Sequence, residues 1–122
     1  MEIKELTRAE EQIMQVLWQL QKGFVKDVLD ILPEPKPAYN TVSTIIRILE
    51  TKGFVAHTAY GKSHEYHPII SKEAYKTFAA DKLLTGYFDN SVESLLSFMV
   101  KEQKLGADDI KKIKNMIDKN IK

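Results

Sequence analysis

The 122-residue chain has no cysteine, which excludes disulfides, thiolate metal sites and cysteine nucleophiles together. It also lacks long apolar runs: the longest span a few residues, against the ~20 needed to cross a bilayer. The N-terminus opens with Glu2, Lys4 and Glu5 instead of a signal peptide, so a cytoplasmic protein is expected. Strong charge is missing as well. The formal net charge is +1, and composition alone does not announce a nucleic-acid partner. There is no glycine-rich phosphate loop and no triad pattern, and the carboxylates are scattered over helix exteriors; neither catalysis nor a cofactor is expected.

What remains, 43% apolar and 29% charged residues, is the balance of a folded domain or two small ones. The charge is unevenly spread. Residues 1–35 carry 4 Lys/Arg against 7 Asp/Glu, whereas residues 36–68 carry 4 against 2 and hold all three histidines.

Thr7 and Glu10 have capping-box spacing and open a helix. Leu6, Ala9, Ile13, Val16, Leu17 and Leu20 recur along it at helical spacing, and Gly23 is expected to stop it. Trp18 lies off this stripe, which suits a residue packed between substructures. Val25, Val28, Leu29 and Leu32 mark a short second helix. The run Pro33-Glu34-Pro35-Lys36-Pro37 then forbids helix and reads as a stiff connector. A third helix is expected from Tyr39 to Lys52, with Gly53 supplying a left-handed C′ residue.

Two β-compatible stretches follow, Phe54 to Tyr60 and His64 to Ile70, joined by Gly61, Lys62 and Ser63 as a hairpin. Pro68 falls near its end, where a lost amide donor does little harm. Beyond Ser71 the pattern is helical. Tyr75, Phe78, Ala79, Leu83, Leu84, Tyr87 and Phe88 spread over more than one face, which then needs covering on several sides. Val92, Leu95, Leu96, Met99 and Val100 mark a further helix capped by Asn90 or Ser91. A last helix starts at Asp108 and Asp109 and buries Ile110, Ile113, Ile117 and Ile121.

Three helices and a hairpin make the order of a winged helix-turn-helix unit. On the third helix, Val42, Ile45, Ile46 and Leu49 gather on one side at 100° per residue, and Asn40, Ser43, Thr44, Arg47 and Thr51 gather roughly opposite. Short polar side chains let a helix approach the floor of a major groove. Asn can pair with adenine, Arg with guanine, and Thr methyls can touch thymine. Any surface helix turns polar residues outward, however, and Glu50 at the far end counts against DNA. Lys62 at the hairpin tip suits a phosphate contact.

The hairpin histidines raise a metal-site reading that alternation disfavours. His57 and His67 come from opposite strands and are expected to approach each other, while His64 and His67 face opposite sides. No metal is expected.

At this point the residues resemble the penicillinase repressor family of BlaI, MecI and CopY type. Thr41-Val42-Ser43-Thr44, then Leu49 and Lys52-Gly53, is similar to its recognition-helix pattern T-V-x-T, four residues, L-x-x-K-G. Leu6-Thr7 with Ala9-Glu10 leading to Leu17-Trp18 also fits, as does the wing from Gly61-Lys62 through Tyr66 and Pro68 to Ser71. The chain departs from the family in having Ile48 where many members have Arg, with Arg47 one step earlier. It also lacks the paired Cys-x-Cys motifs of the copper-sensing branch.

The resemblance implies a mainly α fold with a small β-hairpin: a winged helix-turn-helix domain over residues 1–70, then a helical dimerisation region over 71–122. It implies a homodimeric repressor on a palindromic DNA operator, with Tyr39, Asn40, Thr41, Ser43, Thr44, Arg47 and Lys62 at the DNA. The region after the wing is short for a core of its own, which independently favours a partner copy. Tyr75, Phe78, Leu84, Phe88, Leu95, Phe98, Met99, Ile113 and Ile117 are expected to meet that copy. One branch of the family is relieved by a membrane sensor protease, and the register places the corresponding cleavage region near Ser97 and Phe98. A winged-helix protein-interaction module and a small-molecule-responsive regulator are the alternatives.

Overall fold

The computed structural model describes residues 2–120. Ile121, expected on the buried stripe of the last helix, lies outside them. The elements run α1 (Arg8–Leu20), α2 (Val25–Ile31), α3 (Tyr39–Thr51), β1 (Val55–Tyr60), β2 (Ser63–Pro68), α4 (Lys72–Tyr87), α5 (Val92–Lys101) and α6 (Ala107–Asn120). Two compact units divide between Phe78 and Ala79. The division falls inside α4, not at the expected 70/71 junction.

In the first unit, α1 opens with the expected capping box: Thr7 N–H donates to Glu10 Oε1 at 2.9 Å and Glu10 N–H to Thr7 Oγ1 at 3.2 Å. The helix closes on Gln21 in the left-handed conformation (φ 70°), two residues before the glycine expected to stop it. Gly23 has another task. Its N–H donates to Tyr66 O at 2.9 Å and its carbonyl accepts from Tyr66 N–H at 2.8 Å, so the chain crosses β2 backbone to backbone. A Cβ there would lie 3.3 Å from both Asp27 Cβ and Leu20 Cδ1.

Ala9 is exposed instead of buried, and Met14 takes a place in the core beside Ile13 and Leu17. The buried stripe runs through Glu10, Ile13, Met14 and Leu17, a carboxylate among apolar residues. Apolar periodicity alone passes over that position.

Asp27 caps α2 by accepting from Phe24 N–H at 2.8 Å. At the other end Lys36 Nζ donates to the carbonyls of Leu29, Asp30 and Leu32 at 3.0, 3.0 and 2.6 Å. The proline connector is thereby pinned to the helix it follows, which fixes where α3 begins. Val28, Leu32, Val42, Ile46, Leu49, Phe54 and Val55 fill the space between the helices and the hairpin.

The first turn of α4 belongs to this same core. The Tyr75 hydroxyl accepts from Leu6 N–H at 3.0 Å, and its ring packs on Phe54, Phe78 and Trp18. Trp18 Nε1 donates to Ile70 O at 2.9 Å. The expectation that Tyr75 meets a partner copy is corrected: it is 7% exposed, inside the winged-helix unit. Phe78 packs partly buried against the same core.

The second unit has a different character. Ser91 caps α5 by accepting from Ser94 N–H at 3.0 Å, and Asp109 accepts from Gly106 N–H at 3.0 Å at the start of α6. Phe88 and Phe98 pack ring to ring. Yet from Ala79 on no described residue is buried, and Leu83, Tyr87, Val92, Phe98, Val100, Ile110, Met116 and Ile117 are exposed. No helix among the described residues is long and apolar enough to cross a membrane.

Candidate nucleic-acid interface

Helix α3 is held from one side. Val42, Ile46 and Leu49 are 0% exposed, Ile45 packs partly buried against them, and Asn40, Thr41, Thr44 and Arg47 stand in solvent. Tyr39 is exposed and Ser43 half-buried. Ala38 caps the helix with its carbonyl, accepting from Thr41 and Val42 N–H. No side chain caps the first turn, and it contains no carboxylate. The positive end of the helix is therefore left open to an anion. Gly53 (φ 86°) turns the chain at the far end, where Phe54 N–H returns to Leu49 O at 2.9 Å.

The wing is a two-stranded antiparallel sheet pairing Tyr60 with Ser63 across Gly61-Lys62. Gly61 sits at φ 62°, the first position of a type II′ turn, which leaves Lys62 exposed at the tip. That two-residue turn fixes the register, pairing His57 with Tyr66 and Ala56 with His67. His57 and His67 therefore face opposite sides, contrary to expectation. His57 instead meets His64 diagonally, the rings stacked with centroids 4.0 Å apart.

Among the described residues no group of three or more His, Cys, Asp or Glu could hold a metal ion. Glu50 meets one of the two stacked histidines. Its Oε2 lies 2.6 Å from His57 Nδ1, so the carboxylate that counted against DNA is tied up in fastening helix to wing. Burial pushes the Tyr66 phenol up, the Glu50 carboxylate adds to this and Arg47 opposes it.

Tyr39, Ser43, Arg47 and Lys62 come together along one groove, whose other walls include Phe24, Lys26, Asp27, Tyr60, His64 and Tyr66. Arg47 Nη2 donates to Ser43 Oγ at 3.2 Å within it. Thr44 opens on the other flank of α3 beside Arg47, Ile48 and Thr51. Asn40 and Thr41 line neither groove. Two charged residues named in the sequence reading form a pair behind the site that it did not foresee: Lys52 Nζ meets Glu10 Oε1 at 2.7 Å and locks the end of α3 to the start of α1. Burial raises the Glu10 pKa, but the Lys52 ammonium and the Thr7 amide outweigh it and hold the carboxyl below its ordinary value.

Residues 6–119 match the family model described as penicillinase repressor. The chain belongs to the penicillinase repressor family. Membership makes it a DNA-binding transcription repressor built on a winged helix. Among relatives of the family, the methicillin resistance regulatory protein MecI of Staphylococcus aureus (strain N315) is 21% identical over 116 residues, covering 94% of each chain. MecI of Mammaliicoccus sciuri is 20% identical over the same length. A solved structure, the solution structure of the DNA binding domain of the repressor BlaI, superposes with a TM-score of 0.53 at 25% identity. It covers 61% of this chain and 92% of that one.

Proposed function

We propose that this penicillinase repressor family member acts in the cytoplasm as a homodimer, each winged-helix unit laying α3 into the major groove of one half of a palindromic operator. The observation that carries the reading is the groove where Arg47 and Lys62, from helix and wing, converge beside an uncapped helix start. Asn40, Thr44 and Arg47 supply base contacts, Tyr39, Thr41 and Ser43 support them, and Lys62 grips phosphate. Bound over a promoter, such a dimer excludes polymerase.

The exposed apolar residues of α5 and α6 support a partner copy covering the second unit. Leu84, Phe88, Leu95, Phe98, Met99, Ile113 and Ile117 are the residues assigned to it. Cleavage by a membrane sensor protease near Ser97 and Phe98, both exposed on α5, would cut this region and release the operator.

Selection of duplexes from a randomised library by the full chain tests the reading. The expected product is a palindrome whose half-sites lie about one helical turn or a multiple apart. Recovery of no preferred sequence would instead mark the winged helix as a protein-interaction module.

A further inference from the structure

The outward face of α3 divides into two rows. Asn40, Ser43 and Arg47 form a polar one, joined by the bond from Arg47 to Ser43. Thr44, Ile48 and Thr51, at i, i+4 and i+7, form a second row in which every side chain carries a methyl group. Thr51 Oγ1 donates to Arg47 O at 3.1 Å, so its hydroxyl is spent within the helix and its methyl is left for a partner. Ile48, between the two threonines, is 42% exposed, although the isoleucine two positions earlier is fully buried. Thr44, Ile48 and Thr51 line one shallow groove on this flank together with Arg47 and Lys52.

An isoleucine side chain can neither grip a phosphate nor hydrogen-bond a base edge. On the floor of a major groove the apolar feature it can meet is the C5-methyl of thymine, which distinguishes thymine from cytosine without a hydrogen bond. We propose that Ile48, flanked by the methyls of Thr44 and Thr51, reads a thymine methyl in each operator half-site and so determines base preference there. The inference rests on the placement of α3 in the major groove. It assigns the base class read by one position.

The test uses the full chain and the duplex recovered by selection, with thymines replaced one at a time by deoxyuridine. That change removes the methyl and leaves every hydrogen-bonding edge in place. At one thymine per half-site, wild-type binding is expected to weaken about fourfold, the effect of one methyl-sized apolar contact. Ile48→Ala binds the thymine and deoxyuridine duplexes alike, and Ile48→Val retains most of the difference. Wild-type protein indifferent to every replacement overturns the proposal, as does Ile48→Ala losing as much as wild type. Failure of the underlying DNA placement looks different: no duplex is enriched, or Arg47→Ala leaves binding to the selected duplex unchanged.

Discussion

At the scale of single residues, the motif positions have physical reasons that pattern alone does not supply. Lys52 matters because its ammonium meets Glu10, a carboxylate only 6% exposed that also closes the capping box of α1. Lys52→Met keeps most of the stem and removes the charge. It is expected to destabilise the winged-helix unit by about 1–3 kcal/mol, the usual effect of losing a hydrogen bond to a charged group, while Glu10 keeps its bond from the Thr7 amide. Because the Glu10 carboxyl is held below its ordinary 4.5, the charged form is favoured by folding. Its contribution is complete above that value and is lost as pH falls through the lower folded-state value. Urea midpoints measured from roughly pH 6 down to pH 3 should show this loss in wild type and a flatter acid limb in Glu10→Gln. These partners were hidden from a linear reading, since Glu10 and Lys52 stand on different helices. The Thr7-Glu10 box, a local feature, was plain.

At the scale of elements, α3 and the wing were legible because their signals are local: a helical apolar period, a glycine after the last turn, and a glycine-lysine turn between β-compatible runs. What escaped was pairing. The histidines could be placed on strands but not in register, because one residue of slip reverses every face and the turn length was read one residue too long. The end of α1 was misplaced because Gln21 adopts the left-handed conformation while Gly23 serves a backbone crossing to Tyr66. Lys62, exposed at the tip, touches no core and can be altered without loss of fold. Lys62→Ala should lower the slope of log affinity against log salt by about 1 while leaving the preferred sequence unchanged. Salt titrations of binding to the selected duplex measure this, and an unchanged slope would remove Lys62 from the phosphate contacts.

At the scale of the whole molecule, the two units differ in how far each satisfies its own apolar surface. Residues of the first unit bury a core from Leu6 to Tyr75, whereas α5 and α6 leave large apolar side chains in solvent. That the tail is short for a core of its own was readable from its length, and its exposed apolar side chains agree with that. The place where α4 passes from one unit to the other was not, because its aromatic residues form one continuous pattern and only packing shows that Tyr75 and Phe78 serve the first unit. Ile117 is 42% exposed on α6. In the proposed dimer, Ile117→Glu should raise the dissociation constant tenfold or more, from an apolar contact worth about 1.5–3 kcal/mol on each side. Sedimentation equilibrium reads the shift, and helix content by circular dichroism should stay the same.

The central claim, that the outward face of α3 reads operator DNA from a dimer, is tested most directly by titrating the full chain on the selected duplex and on a scrambled one. Wild type, Thr44→Ala and Arg47→Ala should be compared at equal salt. The account predicts two chains per selected duplex, with each substitution costing about 1–3 kcal/mol of preference over the scrambled duplex. Equal affinity of wild type for both duplexes, or variants that discriminate as well as wild type, would contradict it.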